Sequence, residues 1–193
     1  MAGEYESVEL VPDETVKQLA LAVVIAALTA ALAQVSILIP GLSVPFSLQP
    51  FGPLLAGLLL GPLWGGFALS VYLAAGIAGA PVFSNGAAGL GYVYGPTGGF
   101  LVGFAVAAVV TGAIAHRQAM PRPQADIDDV PKAAALVVGL LVVYLIGVPW
   151  LADVQGISMN AAVSIMALFA AMDLVKAGIV FQISNSLSAL PVR

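Results

Sequence analysis

Hydrophobic residues fall along this chain in five blocks of bilayer scale, residues 19–39, 50–79, 97–115, 133–151 and 157–190, each bounded by charge, proline or glycine. Two of the blocks are too long for one spanning helix. Gly61-Pro62 divides the second, because proline lacks an N–H donor and favours a helix start, which predicts a short helix before it and a fuller one after. The count becomes six helices. As one helix the last block would be about 50 Å long, against a hydrocarbon core of about 30 Å. Asp173 is a favourable N-cap residue, so the spacing predicts a break just before it. Residues 157–171 would form a short or re-entrant helix and residues 174–190 the final span.

Composition agrees with an all-α integral membrane protein. Charged residues make up 8% of the chain and hydrophobic ones 61%, with a mean hydropathy of +1.05, whereas a soluble domain carries charge on about a quarter of its positions. Residues 1–17 read as an acidic cytoplasmic tail (Glu4, Glu6, Glu9, Asp13, Glu14), and residues 18–192 as a single membrane domain with a polar loop at about 116–132. Without a basic start the first hydrophobic helix is expected to stay in the mature protein. The chain has no cysteine, which excludes disulfides, thiol nucleophiles and cysteine metal sites. Its net charge of −4 sits in the tail and in the acidic run at 126–129, and reads as solvation.

Five of the six basic residues, Lys17, Arg117, Arg122, Lys132 and Arg193, fall at the two ends or in the 116–132 loop. With six helices those places share one side, so the positive-inside rule puts both termini in the cytoplasm. The sixth is Lys176. It stands three residues from Asp173 in an otherwise apolar block, on roughly the same helix face. Ionised groups in a bilayer cost about 2.5 to 3.5 kcal/mol by insertion scales, so they turn toward each other, a cavity or a ligand. The pair alone is compatible with a self-satisfied structural contact as well as with a binding site.

Two outer loops favour a site. The run from Pro40 to Pro50 carries three prolines that forbid a helical hairpin and hold Phe46 and Gln49 on a short structured loop. The run from Pro81 to Thr97 is glycine-rich and aromatic where an exposed loop would be charged, which predicts that it folds inward. Asn85 brings donors and acceptors, and Phe83, Tyr92 and Tyr94 bring flat apolar surfaces. Aromatic walls with a few convergent polar groups form the usual small-molecule site.

Other chemistry is unsupported. No Gly-Lys-Ser/Thr occurs, so ATP is not bound through a P-loop. His116, the single histidine, reads as a solvated helix-end residue, and no nucleophile, base and orienting group occur together, so no enzyme, no metal site and no cofactor are expected. Nothing points to nucleic acid. Small residues four apart (Gly57, Gly61, Gly65; Gly95, Gly99, Gly103) predict close internal helix packing, and the stripe Ala22, Ala26, Ala30 suits either packing or a membrane partner.

At Val44-Pro45-Phe46-Ser47-Leu48-Gln49, Leu54 to Pro62, Gly79-Ala80-Pro81-Val82-Phe83, Gly95 to Leu101 and Asp173-x-x-Lys176, the chain resembles the BioY family, the biotin-binding S components of energy-coupling factor (ECF) transporters. The resemblance runs from about residue 19 to 188 and is most specific from Pro45 to Phe104. It implies an S-component-like bundle of six transmembrane helices in the plasma membrane. Such a bundle captures biotin at its outer face and docks on a transmembrane coupling protein driven by a pair of ABC ATPases, which alone bind ATP. By motif, Asn85, Asp173 and Lys176 are implied to contact biotin, and Ala22, Ala26 and Ala30 to pack on the coupling protein. Chemistry adds Tyr92, Tyr94, Phe83, Gln49 and Phe46 as candidate walls and bonds. An S component for another vitamin, or a solitary biotin carrier working without ATPases, remain the alternatives. The chain departs from the family pattern in its lead-in to Asp173, Phe169-Ala170-Ala171-Met172, and in having no Lys or Arg over residues 80–96.

Overall fold

The computed structural model describes residues 12–189; Glu4, Glu6, Glu9 and Arg193 lie outside the described residues. The order is α1 (Asp13–Gln34), β1 (Ser36–Ile37), β2 (Phe46–Ser47), α2 (Phe51–Ile77), a single turn at Ser84–Gly86, α3 (Leu90–Val93), α4 (Gly98–His116), a single turn at Gln124–Asp126, α5 (Asp129–Gln155) and α6 (Met159–Ser188). Helices α1, α2, α4, α5 and α6 are long and apolar enough to cross a membrane. Helix α1 begins inside the expected tail, with Asp13 and Glu14 in its first turn, where negative charge suits the helix dipole.

Helix α2 is two antiparallel limbs, residues 51–60 and 62–77, joined at Gly61. That glycine adopts φ 73°, ψ −179°, a region essentially confined to glycine. The limbs touch along their length: Gly65 faces the Ala56 carbonyl, and the Gln49 amide nitrogen donates to the Tyr72 hydroxyl at 2.7 Å. Pro62 cannot donate to the Leu58 carbonyl four residues earlier, so that oxygen needs partners from elsewhere. It accepts from His116 Nε2 at 2.9 Å and from the Gln124 amide at 2.8 Å. His116 Nδ1 accepts the Arg122 backbone N–H at 2.9 Å, which leaves the ring proton on Nε2. His116 is therefore not the solvated end residue expected from its position. At 1% exposure it closes the hairpin turn.

The predicted glycine packing is present. Gly57 lies against Ala108 and Thr111, Gly99 against Trp150 and Gly103 against Val143. The alanine stripe packs inward too: Ala22 and Ala26 are buried in the core and Ala30 is half-buried against it. In the isolated chain the stripe implied to meet a partner therefore lies mostly against the bundle, with Ala30 at its edge. The register of α1 turns Ala27 and Ala31 outward instead.

A second expectation also changes. Helix α6 runs unbroken through Asp173, because its inward stripe of Ala162, Met166, Phe169, Asp173, Lys176, Val180 and Ser184 keeps helical steps of three and four throughout. The Asp173 carboxylate bonds side chains rather than the amides ahead of it, and Ser158 caps the helix in its place, accepting from the Ala161 N–H at 3.2 Å. The charged pair consequently stands halfway along α6 and not at its start.

Three connections, residues 35–50, 78–97 and 156–158, gather at one end of the bundle. Ser36 bonds Asn85 at 2.9 Å, the Gln34 amide donates to the Phe83 carbonyl at 3.2 Å, and Gln155 bonds Ser43. The opposite end holds the Gly61 turn, the 117–128 loop and the described chain termini, with Lys132 bonded to Asn185 at 2.9 Å. Replacing Gly61 by Ala should strain the turn by about 1–3 kcal/mol. The expected result is a lower Tm in detergent micelles, and an unchanged Tm would show that the turn makes no special demand on residue 61.

Candidate functional site

Lys176 and Asp173 form an ion pair at 2.5 Å, with side chains 6% and 7% exposed. Each remaining polar atom around the pair has a defined role. The second carboxylate oxygen of Asp173 accepts from the Tyr144 hydroxyl at 2.7 Å, and Lys176 Nζ also donates to the Ser47 backbone carbonyl at 2.6 Å. The ammonium lies 4.4 Å from the centroid of the Phe46 ring, a distance at which a desolvated cation gains from the ring face. Strand β2 thus descends from the loop end to meet the middle of α6. Its partner β1 fixes it by an antiparallel register of Ser36 with Ser47 and Ile37 with Phe46.

These groups border a cavity of about 50 Å³. It is lined from the first loop by Phe46, Ser47 and Gln49, from the second by Ser84, Tyr92 and Thr97, and from the helices by Phe100, Tyr144, Phe169, Asp173 and Lys176. That space has room for a few waters. Gln49 links the two loops: it donates to Tyr72, whose hydroxyl donates to the Val82 carbonyl at 2.9 Å, and it accepts from the Ser84 hydroxyl at 2.9 Å.

Five of the predicted ligand residues, Phe46, Gln49, Tyr92, Asp173 and Lys176, meet at this cavity, and three do not. Phe83 is fully buried behind it, stacked on Tyr92 at 5.4 Å and edge-on to Tyr72 at 5.7 Å, in space left by Gly76. Tyr94 is 65% exposed on the far side of α3. Asn85 is exposed in a left-handed turn, φ 59°, and bonds Ser36 rather than the cavity.

The profile of the BioY family matches residues 6–191. The chain belongs to the BioY family. Among curated relatives, the probable biotin transporter BioY of Pyrococcus horikoshii is 34% identical over 161 residues, covering 83% of this chain and 90% of that protein. The biotin transporter BioY of Rhodobacter capsulatus is 38% identical over 165 residues, covering 78% and 82%. The crystal structure of the S-component for biotin from an ECF-type ABC transporter superposes with a TM-score of 0.84 at 24% identity, covering 94% of this chain and 96% of that one. The fold of this BioY chain is therefore that of an S component, and its helices make it a multi-pass membrane protein.

Sequence reasoning missed Tyr144 and Ser47 in this BioY chain. Tyr144 carries a polar tip in mid-span of an apolar block, where a hydroxyl needs a partner, and that signal could have paired it with Asp173. The Ser47 contribution comes from a backbone carbonyl and leaves no mark in the sequence. Tyr144 and Met166 also form the wall between the cavity and an outward apolar groove between α5 and α6, lined by Leu141, Leu145, Val163 and Leu174.

Removing one member of a buried pair leaves the other uncompensated, which costs about 3–5 kcal/mol, whereas replacing both by apolar residues is often neutral. Lys176→Met alone is expected to destabilise strongly in micellar unfolding, and adding Asp173→Leu to restore most of the loss. If the single and double variants unfold alike, the pair is not a closed electrostatic unit.

Proposed function

We propose that this chain captures biotin from outside the cell as the S component of an ECF transporter. The observation that carries the reading is the enclosure of the Asp173–Lys176 pair, by both structured loops, in a cavity of a BioY-family bundle. The named relatives are biotin transporters, and the chemistry suits that ligand. Biotin's bicyclic head presents ureido N–H donors beside a ureido oxygen. Asp173 accepts from the N–H groups while Lys176 donates to the oxygen, through charge-assisted bonds that are strong in a dry site. Phe46 and Tyr92 cover the rings, and Gln49 supplies a further bond. Phe83, Tyr94 and Asn85 have a supporting place in the loops in this reading.

Six crossings follow if both limbs of α2 span, the shorter one assisted by the loops that dip toward it. The basic residues Arg117, Arg122 and Lys132 then mark the cytoplasmic side together with both termini, and the loop end faces outward from the plasma membrane. The chain has no ATP site of its own in this reading, being a transporter subunit and not an enzyme. Transport requires docking on a coupling protein with its ATPase pair. On α1 the surface left for that contact is the outward face carrying Ala27 and Ala31.

Two measurements test this. Equilibrium titration of the purified chain should give tight biotin binding that Asp173→Asn weakens at least tenfold, about 1.4 kcal/mol; retained affinity would remove Asp173 from the site. Because the chain has no cysteine, single cysteines at Ser43 and at Gln118 can be labelled in intact cells with an impermeant thiol reagent. Labelling at Ser43 and not at Gln118 is expected, and the reverse pattern would invert the topology.

A further inference from the structure

The charge inventory of the loop end bears on which part of a ligand is recognised. Residues 35–50, 78–97 and 156–158 contain no Lys, Arg or His, and the nearby end of α5 contributes only the exposed Asp153. Lys176 is the cation on the cavity wall, and it is already neutralised by Asp173 at 2.5 Å, with a second bond to Ser47 at 2.6 Å. Most helix-start amides are already bonded, and Gly99, whose N–H has no backbone partner among the described residues, packs against Trp150 and does not line the cavity. At the start of α4 the N–H groups of Gly98, Phe100 and Leu101 are bonded to the Gly95 and Thr97 carbonyls, and at the start of α2 those of Phe51 and Gly52 are bonded to Leu48 and Gln49. A carboxylate brought to Lys176 would place two anions on one ammonium, leaving net negative charge in an apolar enclosure, the costliest arrangement available there. A neutral head that accepts from Lys176 and donates to Asp173 leaves the site at zero net charge.

Resting on the biotin reading above, we propose that the site recognises only the uncharged ureido head and leaves the ligand's carboxylate unread, in water at the loop end. The ligand class is then wider than the free acid: biotin amides and esters bind as well as biotin, and the energetic selectivity lies in the bicycle.

The test is a set of titrations of the purified full-length chain with biotin, biotin amide, biotin methyl ester and biotin methylated on a ureido nitrogen. The first three are expected to agree within about threefold (about 0.6 kcal/mol), with biotin affinity the same at low and high salt. The ureido-methylated compound should lose at least tenfold. Biotin binding tenfold or more tighter than its amide, or weakening markedly with salt, overturns the proposal while leaving biotin capture intact. Failure of all four ligands to bind overturns the capture reading itself and the selectivity claim with it.

Discussion

The organisation of this bundle depends on keeping two opposite charges ionised in a medium that resists both. Asp173 and Lys176 can stay charged halfway along α6 only because they touch each other and because Tyr144 and the Ser47 carbonyl complete their hydrogen bonds. Each partner imposes a structural demand. Tyr144 fixes the rotation of α5 against α6, and Ser47 requires the first connection to leave the surface and reach into the bundle. The two-residue ladder of β1 and β2 makes that descent rigid, since a fold-back without backbone pairing would bury unsatisfied amides.

A comparable demand operates at the other end. Pro62 allows the α2 chain to reverse within one residue, but strips the Leu58 carbonyl of its helical donor. The stretch from His116 to Gln124 returns to supply two donors. The turn and the polar loop thus stabilise one another, and the neutral imidazole is the link. The same loop reaches α6 through Gln124 and Ser184 at 2.8 Å, so the helix bearing the charged pair is held at its middle and near its C-terminal end by segments remote in sequence.

Much of this was legible in the residues. Hydrophobic blocks located the long helices to within about six positions, Gly61-Pro62 announced the reversal, and the isolation of Asp173 and Lys176 in an apolar run singled out the pair that borders the cavity. What was not legible depends on partners rather than on local type. A cap role for Asp173 follows from propensity, yet a stronger tertiary partner took its oxygens, so α6 stayed whole. Spacing placed Ala22, Ala26 and Ala30 on one face without saying which way the face pointed. Asn85, Phe83 and Tyr94 lie in the second loop, but a left-handed conformation turns Asn85 outward, an aromatic stack holds Phe83 behind the cavity and Tyr94 is exposed.

The thin partition made by Tyr144 and Met166 has a consequence of its own. One side of it meets the ion pair and the other opens onto the apolar groove between α5 and α6, so whatever fills that groove, lipid or detergent, forms the outer insulation of the pair. The strength of every charged contact inside then varies with how well that coat excludes water. A loosely packed detergent shell and a tightly packed bilayer amount to two different solvents for the same pair of side chains.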